Sequence, residues 1–206
     1  MHISRRSVAE AACHGMKRSF DVYAAMSRDW KSPAERGIEG FISGYVGLSI
    51  RRRTDLSVGL EVGIREIEDN CQVRRKGPVS ASLRVTGRCD VVAWHGERPV
   101  CALEVKRGFW TDKIRRDIER LDTLKRRMAD AGKPLQLVGV VFPDAARHED
   151  PKARAEHQQE RITRWLKEEL GPLGRCHVER LPIGRYTRGE AGDRYYSTAW
   201  CGIVRV

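Results

Sequence analysis

The sequence predicts an α/β fold, a mixed central β-sheet flanked by helices, and three stretches predict it. Residues 87–106 read GRCDVVAWHGERPVCALEVK. Two apolar runs, Val91 to Trp94 and Val100 to Leu103, flank a polar break containing Gly96, the pattern of a β-hairpin. Residues 111–131 carry Ile114, Ile118, Leu121, Leu124 and Met128 at spacings of four, three, three and four, which is one apolar helix face. Leu135 to Phe142 is then a near-continuous apolar run. After a helix, that run suits a strand buried on both faces and parallel to its predecessor. An antiparallel hairpin joined to a parallel strand makes the sheet mixed.

At 206 residues the chain is long enough for one domain with a sizeable core. It divides into an N-terminal helix (1–31), a core (32–143), and a C-terminal extension of helix and β-hairpin (144–206). Val8, Ala12, Met16, Phe20, Tyr23, Met26 and Trp30 recur every three or four positions, so about Arg5 to Trp30 reads as an amphipathic helix. It either covers the sheet or meets a second subunit, which leaves a homodimer open. Ser32-Pro33-Ala34-Glu35 combines an N-cap serine, a first-turn proline and a glutamate suited to a capping box. The helix it opens has Ile38, Phe41, Ile42 and Tyr45 as its stripe. Arg51-Arg52-Arg53 reads as a basic loop. Val58, Leu60, Val62 and Ile64 alternate strictly, a strand with one buried face and Glu61 on the other. Arg74-Arg75-Lys76 forms a basic turn before the hairpin. Thr111 caps the helix of residues 111–131, and Gly132 and Pro134 stop it. A polar break from Pro143 to Pro151 leads to a helix ending near Leu170, with Ile162, Trp165, Leu166 and Leu170 inward. Two strands close the chain, Cys176 to Ile183 and Tyr195 to Val206. The loop between them is rich in Gly, Arg and Tyr. A hairpin loop explains those letters, and so does a contact that stacks on bases.

Lysine and arginine number 39 against 28 acidic residues, a formal charge of +11, which points to a polyanion: nucleic acid before an anionic membrane. No apolar run is long enough for a membrane span, and the basic N-terminus lacks the apolar stretch of a signal peptide. Six cysteines, with no Cys-x-x-Cys and no histidine cluster, argue against structural zinc and for free thiols in a reducing cytoplasm. On the helix of residues 111–131, Lys113, Arg116, Arg120 and Arg127 share a flank without acids, a candidate phosphate track. Arg115, Glu119, Asp122 and Arg126 alternate in sign on another flank, an ordinary solvated surface. There is no Walker loop, no dinucleotide fingerprint after a strand, and no Ser-His-Asp or Cys-His spacing.

The chemistry concentrates in the hairpin. Asp90 begins its first strand, and Glu104 and Lys106 end its second on one face, since strand side chains alternate. A register opposing Trp94 to Val100 also opposes Asp90 to Glu104, with Cβ atoms roughly 5 Å apart. Carboxylates that close repel unless a proton or a cation lies between them. A hard divalent ion with oxygen ligands fits, Mg²⁺ by default with Mn²⁺ as its substitute. Lys106 beside that ion would hold or activate a water, or steady a phosphate charge. The plainer reading is that these side chains are solvated or paired with one another, and it predicts no chemistry.

Asp90 followed by Glu104-x-Lys106 on the next strand resembles the signature of the PD-(D/E)xK nuclease superfamily, the restriction-endonuclease-like fold. Cys89 stands where that signature has proline. The helix–strand–hairpin–helix–strand order over about residues 33–143 is the core order of that fold. Ala34-Glu35-Arg36-x-Ile38-x-x-Phe41-Ile42 is similar to the first helix of archaeal Holliday-junction resolvases within it. The resemblance implies a Mg²⁺-dependent nuclease acting on nucleic acid, DNA first. Asp90, Glu104 and the backbone carbonyl of Val105 would hold the metal. An acidic residue of the first core helix, Glu35 or Glu39, would add a direct or water-mediated contact. Lys106 would position or help deprotonate the attacking water. The capping box gives Glu35 a structural reason of its own, and Glu39 has no such role. Glu61 is a weaker third candidate. The basic segments Arg51–Arg53 and Arg74–Lys76 and the basic helix flank would hold the nucleic-acid backbone without reading sequence. Two alternatives belong to other classes: a nucleic-acid-binding module on the same fold without catalysis, and an interaction protein whose basic face meets an acidic partner.

Overall fold

The structure is a computed structural model that describes residues 3–26, 39–73, 87–147, 151–188 and 193–205. The elements run α1 (Arg5–Met26), α2 (Glu39–Arg53), β1 (Ser57–Gly63), α3 (Ile64–Asn70), β2 (Arg88–His95), β3 (Arg98–Val105), α4 (Thr111–Asp130), β4 (Leu137–Arg147), α5 (Pro151–Leu170), β5 (Arg175–Arg188) and β6 (Asp193–Arg205). The strands form one six-stranded sheet in the order β1-β2-β3-β4-β6-β5. Among the described residues only the β3–β4 pair is parallel, so the sheet is mixed and flanked by helices, as the three stretches predict.

Alternation along the strands supplies two cores, one on each face. On one face Val91, Ala93, Leu103, Val105 and Val141 meet Ala12, Met16, Ile42, Val46 and Ile50 of α1 and α2. On the other, Val92, Ala102, Val138, Val140, Phe142 and Trp200 meet Ile67 of α3, Ile114, Leu121 and Leu124 of α4, and Ile162 and Leu166 of α5. Each fully buried Ile, Leu, Val, Phe or Met contributes roughly 1.5–3 kcal/mol of apolar transfer. Burial on both faces is why β3 and β4 read as unbroken apolar runs.

The hairpin register agrees with expectation where it matters. Val91 pairs with Leu103, Val92 with Ala102 and Ala93 with Cys101, and continuing that register sets Asp90 across from Glu104. Beyond Ala93 a bulge shifts the pairing, so Trp94 faces Pro99 rather than Val100. The shift lets the strands close in a two-residue turn at Gly96 and Glu97, with Gly96 at a φ of +60° that glycine adopts without strain.

Several elements differ from the sequence reading. Arg51, Arg52 and Arg53 form the last turn of α2 rather than a loop, where cations offset the helix's exposed carbonyls. The single buried face of β1 is split: Val58 packs toward α1 and α2, whereas Val62 and Ile64 lie in the opposite core. The change of face falls at Glu61, whose φ is +53°. The pairing keeps one register on both sides of it, Leu60 with Val91 and Val62 with Cys89, and β2 changes face at the same point, with Cys89 in one core and Val91 in the other. Ile64 begins α3 instead of continuing the strand, and Ile64, Ile67 and Cys71 are buried at helical spacing. β4 runs on to Arg147 through the expected polar break, and β5 and β6 pair as far as Arg188 and Asp193, so they take up most of the expected loop. The capping box with Glu35, and Arg74, Arg75 and Lys76, lie outside the described residues. Among the described residues no helix is long and apolar enough to cross a membrane.

Candidate active site

Lys106 is the first residue beyond β3, and its N–H donates to the Val141 carbonyl at 2.8 Å. That bond extends the parallel pairing by one residue and fixes where the Lys106 side chain starts. Its ammonium then lies among four carboxylates: Asp117 at 3.1 Å, Glu39 at 3.7 Å, Asp90 at 3.8 Å and Glu104 at 3.9 Å. These come from α4, α2, β2 and β3, so both helix layers and the hairpin converge here. Asp90 is steadied from within the hairpin, because its Oδ2 accepts the Val105 N–H at 2.6 Å.

Glu104 is fully buried, and Arg120 of α4 approaches its Oε1 at 2.5 Å as an ion pair. The same guanidinium lies 3.2 Å from Asp117. Glu104 Oε2 is buried and accepts no hydrogen bond, whereas the buried Asp117 Oδ2 faces the Lys106 ammonium at 3.1 Å. Burial pushes the Glu104 carboxyl well above the usual carboxylate range; Asp90 and Asp117 add to the shift, and Arg120 and Lys106 oppose it. Burial also raises Glu39, with Lys106 pulling the other way. For Lys106 burial acts downward, but Asp117, Asp90, Glu104 and Glu39 together outweigh it and the group moves up. At neutral pH it is an ammonium, a donor without a free lone pair.

Of the residues singled out from sequence, Asp90, Glu104, Lys106 and Glu39 are brought together, and Val105 is joined to them through its N–H. Glu61 is exposed and makes no ion pair in this cluster. The basic flank of α4 divides. Lys113 and Arg116 are exposed, whereas Arg120 turns to Glu104 and Arg127 bonds the buried Glu68 of α3 at 2.8 Å. Arg52 and Arg53 are exposed, and Arg51 reaches the Leu56 carbonyl. Sequence reasoning missed Asp117 and misjudged the direction of Arg120. A signal existed: Asp117 falls on the apolar stripe itself, three residues after Ile114 and four before Leu121. An acid placed there is buried when the stripe docks.

The donor set can be tested against the divalent cation that the resemblance implies. Among the described residues no three His, Cys, Asp or Glu side chains are arranged to hold a metal ion, and the Lys106 ammonium takes the central position. The chemistry of the set nonetheless fits. Four carboxylates face two cations, a formal excess of two negative charges when all are ionised, and the buried Glu104 Oε2 has no hydrogen-bond donor. All the donors are hard oxygens, the class that Mg²⁺ takes. Compared with protein-family models, curated proteins and solved structures, the chain matches none, so the reading of this site rests on its own residues.

Proposed function

We propose that this chain is a Mg²⁺-dependent nuclease that hydrolyses phosphodiester bonds in nucleic acid, with DNA as the first substrate to test, on a restriction-endonuclease-like core. The observation that carries the reading is the Lys106 ammonium held 3.1–3.9 Å from four carboxylates of α2, β2, β3 and α4. The order α2, β1, β2–β3, α4, β4, with α3 inserted, supports the core assignment. Asp90 and Glu104, with the Val105 carbonyl, would hold the cation, and Glu39 is the nearby helix acid. A divalent cation supplies charge screening at the phosphate and a lower pKa for water. In the reaction, water adds to phosphorus, the bond to the leaving oxygen breaks, and that oxygen takes up a proton. Lys106, kept charged by its neighbours, orients the attacking water or a phosphate oxygen rather than removing a proton. Asp117 positions Lys106. Arg120 restrains Glu104.

The test is incubation with plasmid and with single-stranded DNA and RNA, in Mg²⁺, in Mn²⁺ and in chelator. Cleavage should require the metal and disappear in Glu104→Gln and Lys106→Met, with folding retained. Glu104→Gln cutting at the parental rate, with contaminating nuclease excluded, would sink the assignment. The Lys106 ammonium at the centre of the four acids favours a second reading, a binding module without catalysis. That reading predicts nucleic-acid binding unaffected by metal and no cleavage by the parent.

A further inference from the structure

A second feature lies on the outer side of the α1–α2 layer. His14, Lys17, Arg18 and Asp21 recur on α1 at the spacing of one helix face, and Tyr45, Leu48, Ser49 and Arg52 recur on α2 in the same way. The two stripes, with Arg53, line a groove of about 500 Å³. The helices approach so closely at Gly15 that a Cβ there would lie 2.5 Å from the Tyr45 carbonyl oxygen and from Val46 Cα. The contact itself is apolar, with Ala11, Ala12, Met16, Ile42 and Val46 buried, and the rim outside it is mostly polar and basic.

The charges are unbalanced. Asp21 is the one acid among the lining residues, and Lys17 holds it at 3.1 Å. Arg18, Arg52 and Arg53 are exposed and have no ion-pair partner among the described residues. The potential reaches His14, whose pKa is lowered by burial and then by Arg53. Position at a helix C-terminus accounts for Arg52 and Arg53 through the macrodipole, and Lys17 is occupied by Asp21 and the Ile183 carbonyl, but Arg18 of the other helix is left unexplained. Guanidinium forks flanked by the hydroxyl-bearing Tyr45 and Ser49 match phosphate oxygens.

We propose that the groove between α1 and α2 binds the phosphodiester backbone of nucleic acid at a site separate from the acidic cluster. Glu39 opens α2 and Arg52 lies in its last turn, so at ~1.5 Å per residue the two are about 20 Å apart along the helix. Groove contacts therefore act on binding and not on the chemistry at Lys106. The inference shares its partner with the nuclease reading but rests on different residues, and the two fail separately.

The experiment measures binding of the full chain to a fluorescein-labelled 20-nucleotide single strand and its duplex, in chelator, across a salt series. Arg18→Glu/Arg52→Glu is compared with Arg65→Glu/Arg164→Glu, which changes net charge equally at exposed sites outside the groove. Arg18→Gln/Arg52→Gln, with a matched thermal melt, controls for folding. The groove variant should bind at least about tenfold more weakly than the control pair, with the slope of log K against log salt shallower by about two. Groove and control variants binding alike would overturn the proposal. So would a groove variant that binds the oligonucleotides like the control but releases phosphatidylserine vesicles. Metal-dependent plasmid cleavage by the parent separates the two ideas. Cleavage present with unselective binding removes the groove, and cleavage absent with selective loss of binding removes the nuclease.

Discussion

Arg120 and Glu104 show how one side chain serves two purposes. From sequence Arg120 belonged to a phosphate-facing flank, because helical angle alone gives direction but not reach. The packed structure draws its guanidinium inward to a fully buried carboxylate. Removing one partner of a buried pair leaves an uncompensated charge. Arg120→Leu should therefore cost about 3 kcal/mol in urea unfolding with chelator present. Adding Glu104→Gln to Arg120→Leu should recover part of that loss, since contacting residues couple by about 0.5–3 kcal/mol. Strictly additive losses would show that the two side chains act independently. Asp90, Glu104 and Lys106 were legible because strand alternation and hairpin register are local rules. Asp117 was hidden because its place depends on how α4 docks.

At the level of elements, legibility followed the length of the pattern. The five apolar positions of α4 span the whole helix, and all five are buried. β1 spans seven residues, too few to show that its alternation breaks at the left-handed Glu61, where its apolar side chains divide between the two faces. α3 is equally short, with Gly63 at its N-cap position and no side-chain cap to announce it. Arg51–Arg53 looked like a loop because charge was read ahead of helix continuation, although Ile50 is buried one residue earlier. The close crossing at Gly15 has a direct consequence for substitution. Val in its place would drive a branched side chain into the Tyr45–Val46 backbone. Gly15→Val should destabilise by at least about 2 kcal/mol and lower the thermal midpoint, although valine costs no polar contact. An unchanged midpoint would mean that the two helices separate freely.

Across the whole molecule, the two cores account for the cysteines. Cys13, Cys71, Cys89, Cys101 and Cys201 are buried, Cys176 is half-buried, and none is in a disulfide. Cys89 and Cys101, one on each strand of the hairpin, are apart in register, since Cys101 pairs with Ala93, and they lie on opposite faces of the sheet. Burial pushes the Cys101 thiol up to about 12, and burial likewise raises the other five. At pH 8 the folded chain should react with iodoacetamide at least ~10-fold more slowly than in denaturant, where all six thiols should be modified. Mass spectrometry counts them, and rapid native labelling of Cys13 or Cys201 would show that the first core is open. The site itself is shared between the layers. Glu39 arrives with the helices on one face, Asp117 and Arg120 with those on the other, and Lys106 is pinned by Val141 of β4. During synthesis, therefore, a ribosome-bound chain ending before β4 carries every acidic member of the cluster but not the carbonyl that fixes Lys106. The assembled site appears only once the parallel strand has emerged and paired, which makes it a late product of translation.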